Sequence, residues 1–310
     1  EISLHSIYFL MNLTTAIDTK ISFRRVISDF KQLAKVGLSL SVVFSSVAGY
    51  LLAVDVINYQ TLFLLGLGGF LMVAASNAFN QVIEKDTDSL MKRTMNRPLP
   101  TGRMSKTTAI IFAIIFTIVG LGILYGINPK SALFGAISIF LYTCAYTPLK
   151  PVSPLAVFVG AIPGAIPFML GWVAATNQFG IEAGFLFMIQ FFWQFPHFWS
   201  IGWLQFEEYK KAGFIMLPMD KKDQSATKQI IFYTVMMILV SISPVFKLTG
   251  AFYIHPITAI IIALMGLSML YYGVLLHNKQ TNIEARKLML SSVIYITMIQ
   301  IIYVIDKFLH

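Results

Sequence analysis

The chain has 310 residues, of which 57% are hydrophobic and only 12% are charged. Soluble globular domains carry about 25% charged residues, and at roughly 25 cal/mol per Å² a fold of this size cannot keep so much apolar surface out of water. The composition therefore excludes a water-soluble globular protein and indicates a membrane protein.

Nine apolar segments of about twenty residues follow one another along the chain. Each is long enough to cross a hydrocarbon core of about 30 Å as a helix. The period-two alternation of a membrane barrel is absent from them. We therefore predict an all-α polytopic membrane protein with nine transmembrane helices, at residues 36–56, 59–79, 107–127, 131–148, 154–175, 183–204, 229–246, 257–276 and 288–305.

The net charge of +9 is best interpreted as membrane topology rather than nucleic-acid binding. With a cytoplasmic N-terminus, 20 of the 23 Lys and Arg residues fall on the inside, and only Lys130, Lys247 and Lys307 fall outside. This asymmetry follows the positive-inside rule. We expect a cytoplasmic N-terminus and no nucleic-acid partner. Since no transit peptide is recognisable, we expect a bacterial inner (plasma) membrane, with an organellar inner membrane as the alternative.

Residues 1–35 precede the first apolar segment and differ from the rest of the chain. They lack the basic region and the small-residue cleavage site of a signal peptide, so we predict none. We interpret 1–35 as a cytoplasmic or interfacial N-terminal tail and 36–310 as a single transmembrane domain. The only cysteine, Cys144, leaves no internal disulfide.

Two long inside loops, residues 80–106 and 205–228, carry most of the polar chemistry. Asn80, Glu84 and Asp88 begin the first loop at spacing i, i+4, i+8, which places them on nearly one helix face. Carboxylate and amide oxygens are the ligands that Mg²⁺ prefers, usually while it also binds phosphate. The alternative is a solvated loop with charges of both signs. A site is favoured because charge at the end of an apolar helix is costly and usually functional.

Basic residues follow these acids at once. Lys92, Arg93 and Arg97 suit a diphosphate, since guanidinium groups bind phosphate oxygens in bidentate fashion. Two prolines and a glycine in RTMNRPLPTGR, residues 93–103, predict an ordered turn. Lys150 is the only base in its own loop and is either a further diphosphate contact or a positive-inside anchor.

Three segments together resemble the UbiA superfamily of intramembrane prenyltransferases. They are NQVIEKDTDSLMKRTMNRPLPTG at 80–102, YTPLKPVSPLAVFVGAIPGAIPFMLGW at 146–172 and QFPHFWSIGWLQFEEYKKAGFIMLPM at 194–219. The first is similar to the N-x-x-x-D-x-x-x-D motif of that superfamily, with Glu84 at the position of the middle Asp. All three, in this order, are most similar to the branch that prenylates haem.

The resemblance implies a nine-helix UbiA-type bundle that transfers the farnesyl group of farnesyl diphosphate to the 2-vinyl group of haem B, with addition of water. Haem is then a substrate and Mg²⁺ the cofactor. A haem A synthase or an oxidase assembly factor is the protein partner that this chemistry suggests. The implied site is Asn80, Glu84 and Asp88 for Mg²⁺ and catalysis, His197 for catalysis, and Lys92, Arg93, Arg97 and Lys150 for the diphosphate.

The sixth apolar segment holds His197 among aromatic residues. From the residues alone, such a histidine either donates to a neighbouring carbonyl or takes part in chemistry. The resemblance implies that His197 touches haem through the iron, a propionate or the reacting vinyl group, and Trp199 is a second candidate for haem contact.

Many UbiA-type enzymes have a second acidic motif, D-x-x-x-D, that binds another Mg²⁺. In this chain the matching positions, counted back from Gly213, are Tyr209 and Gln205. Glu207 and Glu208 are therefore the candidates for a second metal site, with a plain interfacial charge cluster as the alternative.

Two other functions fit parts of the sequence. A UbiA-type enzyme that prenylates an aromatic quinone precursor shares the acidic motif, and the segments at 93–100 and 194–199 argue for the haem enzyme instead. A transporter predicts polar residues at mid-depth in several helices. Here the acids cluster at one end, which argues against a transporter.

Overall fold

The computed structural model describes residues 23–310, and the first 22 residues, with most of the predicted tail, lie outside the described residues. The described chain is helical and contains no strand. Its helices are α1 (residues 23–33), α2 (Val36–Ala53), α3 (Tyr59–Ile83), α4 (Lys85–Asp88), α5 (Lys106–Ile127), α6 (Pro129–Phe140), α7 (Thr147–Leu149), α8 (Leu155–Thr176), α9 (Ile181–Leu204), α10 (Phe206–Lys211), α11 (Gln224–Ile242), α12 (Pro256–Lys279) and α13 (Asn282–Leu309).

Eight stretches within residues 23–310 are long and apolar enough to cross a membrane, and each matches a predicted segment. The ninth predicted segment forms α9, which has 24 residues but is not among the eight. Gln190, Gln194 and His197 lower its hydropathy, although its length suffices. The protein is thus an all-α multi-pass membrane protein, while the count of nine spans and the orientation of the N-terminus remain predictions.

Short polar side chains fix where several helices begin. Each accepts a hydrogen bond from the backbone amide three residues ahead, which satisfies one of the free N–H groups of a first helical turn. These N-cap residues are Asn58, Ser105, Asn128, Asp223 and Thr281.

Helix α8 lies at the centre of the bundle and is the most buried of the eight helical stretches that could cross a membrane. It packs mainly against α2 and α9. Gly171 allows the close approach to α2, because a Cβ there would collide with the backbone of Ser46 and Tyr50. Small residues are the usual means by which membrane helices approach closely.

Two prolines lie inside α8, at positions 163 and 167. Pro167 has no N–H, so the Pro163 carbonyl four residues earlier loses its donor within the helix. The Ser138 hydroxyl of α6 donates to that carbonyl over 3.4 Å. A neighbouring helix thus satisfies a backbone group that the proline leaves free inside an apolar bundle.

The predicted helix 131–148 is not one regular α-helix. After α6 the chain forms a π-helical turn, Leu141–Tyr146, in which the Thr147 amide donates to the Tyr142 carbonyl five residues earlier. The Thr147 hydroxyl donates to the same carbonyl over 2.8 Å. Such turns are rare and occur frequently at functional sites.

The loops at residues 84–105 and 205–223 meet at one end of the bundle, which we call the site end. The Lys92 amide donates to a Glu208 carboxylate oxygen over 2.7 Å. The Ile215 amide donates to the Lys150 carbonyl over 2.8 Å. These contacts bring the ends of α3, α7 and α9 together.

Candidate active site

Asn80, Glu84 and Asp88 remain one helical turn apart although α3 ends before the last two. The Glu84 amide donates to the Asn80 carbonyl over 2.9 Å, and the Asp88 amide to the Glu84 carbonyl over 2.7 Å. The exposed fractions of the three residues are 1%, 6% and 1%. Helical spacing therefore carries two carboxylates and a carboxamide into the protein rather than into solvent.

Each buried acid is paired with a base. Glu84 Oε1 lies 2.6 Å from Lys150 Nζ, and Asp88 Oδ2 lies 2.6 Å from Arg97 Nη1. Burial of an unpaired charge is costly, so these partners compensate the two carboxylates. The site end thus holds two acids and two bases in direct contact.

The third member of the acidic face is held by the π-helical turn. Asn80 Nδ2 donates to Thr147 Oγ1 over 3.2 Å. Because the hydroxyl of Thr147 donates to Tyr142, its oxygen is oriented to accept from Asn80. The carboxamide oxygen of Asn80 is therefore left for another ligand.

Lys150 is 8% exposed and lies among aromatic rings. Its ammonium nitrogen lies 4.6 Å from the centre of the Tyr146 ring and 5.6 Å from that of Phe214. Burial lowers the pKa of Lys150, but the carboxylate of Glu84 more than offsets this, and the pKa ends above its ordinary value. Lys150 is therefore a fixed positive charge.

Asp88 has one oxygen left over. Its Oδ1 atom is buried and receives no hydrogen bond from residues 23–310. Burial raises the pKa of Asp88, and the neighbouring Arg97 opposes that rise. A buried oxygen without a donor is costly in the protein alone, and a cation would satisfy it.

The donor set fits a hard divalent cation such as Mg²⁺. The carboxylates of Glu84 and Asp88 and the carboxamide of Asn80 supply oxygens of the preferred kind. No group of three or more His, Cys, Asp or Glu that could hold a metal occurs in the described part of the chain. A cation here therefore needs further oxygens, which phosphate and water commonly supply.

Sequence reasoning missed Lys35, which it counted only as an inside charge. The structure places it between α1 and α2, where it lines a cavity of about 510 Å³ together with Lys31 and Arg97. Burial and the charges of Arg97 and Lys150 lower the pKa of Lys35 to about 7. No spacing rule links positions 35 and 97, so only the fold could reveal this residue.

The other two predicted diphosphate residues, Lys92 and Arg93, make fewer contacts than Arg97 and Lys150. Lys92 and Arg93 are exposed, and neither side chain takes part in an ion pair of residues 23–310. They lie on the loop that Asp88 and Arg97 tie down. They are therefore near the site end without being part of the paired acids and bases.

Side chains throughout the first long loop hold it in place. The Thr94 hydroxyl donates to the Asp88 carbonyl over 2.8 Å, and Arg103 Nε lies 2.9 Å from Asp29 Oδ1 of α1. Leu33 and Leu99 are fully buried in a small cluster beneath it. An ordered loop was predicted from its prolines and glycine, and the structure shows how α1 contributes to that order.

The two candidate residues for a second metal site, Glu207 and Glu208, differ in their surroundings. Glu208 contacts Lys211 Nζ over 2.8 Å through one oxygen and the Lys92 amide over 2.7 Å through the other. These contacts hold the pKa of Glu208 below its usual value. Glu207 is exposed. The geometry assigns Glu208 to joining the two loops.

The two predicted haem residues lie on different sides of α9, because positions two apart on a helix do not face each other. His197 Nδ1 lies 2.8 Å from Ser292 Oγ of α13. Trp199 is buried against Phe195 and Tyr233, with ring centres 5.2 and 5.3 Å away. The structure therefore does not bring His197 and Trp199 together on one surface.

The sequence matches the model of the UbiA prenyltransferase family over residues 42–297. A Flavobacterium psychrophilum protein named Protoheme IX farnesyltransferase is 59% identical over 299 residues, which cover 96% of this chain and 100% of that protein. A Myxococcus xanthus protein of the same name is 36% identical over 282 residues, covering 89% and 93%.

Solved structures share the fold. A digeranylgeranylglyceryl phosphate synthase superposes with a TM-score of 0.77 at 19% identity, covering 92% of this chain and 99% of that one. A UbiA homolog from Archaeoglobus fulgidus, bound to DMAPP and Mg²⁺, gives 0.62 at 15% identity, covering 89% and 99%.

The bundle, its buried acids and these similarities define a membrane-embedded prenyltransferase. The chain belongs to the UbiA prenyltransferase family. Within that family it is similar over nearly its whole length to the proteins named protohaem IX farnesyltransferase.

Proposed function

We propose that the protein transfers the farnesyl group of farnesyl diphosphate to the 2-vinyl group of haem B, with addition of water, to form haem O and diphosphate. The relatives named protohaem IX farnesyltransferase support haem as the acceptor. The observation that supports the diphosphate chemistry is the pair of buried acid–base contacts beside Asp88 Oδ1, which receives no hydrogen bond from residues 23–310.

These acid–base contacts suit an exchange of partners when substrate binds. Asn80, Glu84 and Asp88 would hold Mg²⁺, whose charge neutralises the leaving diphosphate. Arg97 and Lys150, released from the acids, turn to the diphosphate oxygens. Every charge is compensated both before and after binding, which lowers the cost of keeping so many charges buried.

Further bases extend this clamp. Lys35 and Lys31 face the same cavity as Arg97 and add positive charge on the α1 side of the site. Lys92 and Arg93 add charge from the exposed side of the loop. Fixed positive groups stabilise the negative charge that develops on the diphosphate as its bond to carbon breaks.

The reaction then proceeds in three changes of bonding. The allylic C–O bond breaks, and diphosphate leaves with the electron pair. The terminal carbon of the haem vinyl group bonds to the farnesyl cation, which leaves positive charge on the vinyl carbon next to the porphyrin. Water adds there and loses a proton to give the hydroxyethylfarnesyl group. An apolar bundle suits these steps because it keeps water from the farnesyl cation until the new carbon–carbon bond has formed.

Mass spectrometry of the pigment tests the reaction. Purified protein in detergent is incubated with haem B, farnesyl diphosphate and Mg²⁺, with each component omitted in turn. We expect a haem heavier by a farnesyl group plus water only in the complete mixture. Unmodified haem from folded protein, together with prenylation of hydroxybenzoate or naphthoate, would favour the quinone-precursor enzyme instead.

We also propose that the site end faces the cytoplasm of a bacterial plasma membrane, as the distribution of basic residues favours. Ser89 is exposed in the first loop and offers a test. In a background with Cys144→Ser, Ser89→Cys in intact spheroplasts should resist a membrane-impermeant thiol reagent and react after permeabilisation. Reaction before permeabilisation would place the site end outside.

A further inference from the structure

Trp193 and His197 of α9 and Ser292 of α13 form a cluster below the site end. The indole and imidazole rings are stacked, with centres 4.7 Å apart and planes 17° from parallel. Trp193 Nε1 donates to the Ser292 carbonyl over 2.6 Å, and His197 Nδ1 lies 2.8 Å from the Ser292 hydroxyl oxygen. The imidazole is therefore fixed both in its plane and along one edge.

The proton positions in this cluster follow from Ser292. Its hydroxyl donates to the Met289 carbonyl over 2.7 Å, and a hydroxyl has only one proton to give. Toward His197 the oxygen therefore accepts, so Nδ1 carries the hydrogen. No ion pair of residues 23–310 includes His197, and a partly buried imidazole among apolar helices without an acid partner is neutral. Nε2 is then left with its lone pair.

The second imidazole nitrogen, Nε2, has no hydrogen-bond partner among residues 23–310. His197 is only partly buried. Gln190 and Gln194 precede it by seven and three positions, so the three polar residues share one stripe of α9. Two members of this stripe contact neighbouring helices. The Gln194 amide donates to the Ala161 carbonyl of α8, and His197 contacts α13.

The depth of His197 agrees with the position of the reacting groups. It lies seven residues before Leu204, where α9 ends at the site end. At 1.5 Å per residue this is about 10 Å along the helix axis. Along the helix axis, an iron atom bound there would lie below the acids and bases that take the diphosphate.

We propose that Nε2 of His197 is an axial ligand of the haem iron, and that Ser292 and Trp193 are positioning residues that fix its tautomer and plane. Histidines that bind metals almost always donate their other N–H to an oxygen, and this fixes the ligand orientation. The proposal rests on haem being the acceptor in the proposed function. It adds how the porphyrin is held so that one vinyl group meets the farnesyl cation.

Comparing the binding of two different porphyrins distinguishes ligation of the iron from packing of the porphyrin ring. The protein in nanodiscs is titrated with ferric haem B and with iron-free protoporphyrin IX. We expect His197→Ala to weaken haem binding by tenfold or more, to abolish the absorption spectrum of imidazole-ligated haem, and to leave protoporphyrin IX binding unchanged. Added imidazole should restore the spectrum, which also shows that the variant is folded. An unchanged haem spectrum, or an equal loss for both porphyrins, would overturn the proposal.

The positioning role has its own readout. Ser292→Ala keeps the imidazole but releases its tautomer, so we expect haem affinity to fall by roughly tenfold, the low end for loss of such a partner. The iron–histidine stretching frequency of the ferrous complex should shift. Ser291→Ala is the matched control, because Ser291 faces a separate groove between α12 and α13. Equal behaviour of the two variants would rule out a positioning role for Ser292.

These experiments distinguish failure of the iron-ligand proposal from failure of the proposed function. If the wild type forms haem O while its haem spectrum does not depend on His197, the iron ligand is wrong and the reaction stands. If the His197-dependent spectrum is present but no haem O forms with farnesyl diphosphate and Mg²⁺, the ligand stands and the proposed reaction is wrong.

Discussion

At the scale of single residues, the site end is organised by charges that compensate one another. Glu84 and Asp88 would each be costly to bury alone, and Lys150 and Arg97 remove that cost through contacts of 2.6 Å. In the proposed function, the same side chains bind the diphosphate and its cation. The proposal therefore makes folding stability and substrate binding depend on the same few atoms.

Asp88 is the residue whose loss should stop the reaction. Asp88→Asn removes the negative charge that suits Mg²⁺ and replaces one carboxylate oxygen by an NH₂ group, so we expect Mg²⁺-dependent turnover to fall by about 100-fold or more, as when a group that stabilises developing charge is lost. Haem O formation by the purified variant measures this. Asp86→Asn, an exposed acid in the same short helix, is the control and should stay near wild type. Equal loss in both variants would contradict the assignment.

Lys150 should matter for folding as well as for binding. Lys150→Met leaves Glu84 buried without a partner, which costs about 3–5 kcal/mol of folding free energy. The double variant Lys150→Met with Glu84→Gln should regain much of that stability, because no uncompensated charge remains, yet stay inactive. Thermal unfolding in detergent and product assays measure the two effects. A single variant as stable as wild type would argue against the buried pair.

We predict that Lys35 makes substrate binding depend on pH. Its folded pKa of about 7 lies below the 10.5 of the free side chain, so between these values the unfolded state holds more protons and this group adds stability as pH rises. A diphosphate favours the charged lysine, so binding takes up a proton above pH 7. The KM for farnesyl diphosphate should therefore rise from pH 7 to 9.

Lys35→Arg isolates this contribution, because the guanidinium stays charged across the range. The variant should show a flatter rise in KM over the same pH interval. Ionisation of the diphosphate itself affects both proteins alike and cancels in the comparison. Parallel slopes in wild type and variant would remove Lys35 from the diphosphate site.

At the scale of helices, the π-helical turn positions the residues that support the acids. Its last residue, Tyr146, lies beside Lys150, and the residue that follows it, Thr147, lies beside Asn80. Tyr146 fits only because Gly160 of α8 has no side chain, since a Cβ there would lie 2.6 Å from the Tyr146 ring. The turn and α8 therefore form one support for the site.

Gly160→Ala tests that support. The added methyl group must displace the Tyr146 ring and, with it, the surroundings of Lys150, so we expect a several-fold higher KM for farnesyl diphosphate and a lower unfolding temperature. Gly122→Ala in α5 is the control, because nothing lies within 4 Å of its Cβ position. It should leave KM unchanged and stabilise the helix by roughly 0.5–1 kcal/mol. A KM for Gly160→Ala equal to that of the control would contradict this role.

The sequence predicted features that depend on local pattern. Eight predicted spans match apolar helices because twenty apolar residues in a row have few other solutions in a membrane protein. The acidic face at Asn80, Glu84 and Asp88 was readable from its spacing of four. The haem branch of the family came from three matching segments rather than from any physical rule.

Features that depend on contacts between distant segments were not predictable. Lys35 joins the site through packing of α1 beneath the first loop, and Ser292 meets His197 across 95 positions. The π-helical turn arises where Tyr146 packs against Gly160. None of these leaves a periodic signal in the sequence, because each is determined by tertiary packing.

At the scale of the whole molecule, the bundle places a charged site at the end of an apolar interior. The polar stripe on α9 begins about 10 Å below that site, by helix rise. Such an arrangement lets an amphipathic allylic diphosphate keep its head at the site end and its tail among the helices. The proposed function therefore requires that each release of diphosphate be coupled to the modification of one haem.

The most direct test counts both products in the same reaction. Diphosphate release and haem O formation are measured together with haem B, farnesyl diphosphate and Mg²⁺, in wild type and in Asp88→Asn. We predict one diphosphate released for each haem modified, with both signals lost in the variant. Diphosphate release that proceeds at the same rate without haem, or haem O that forms without release of diphosphate, would contradict the account.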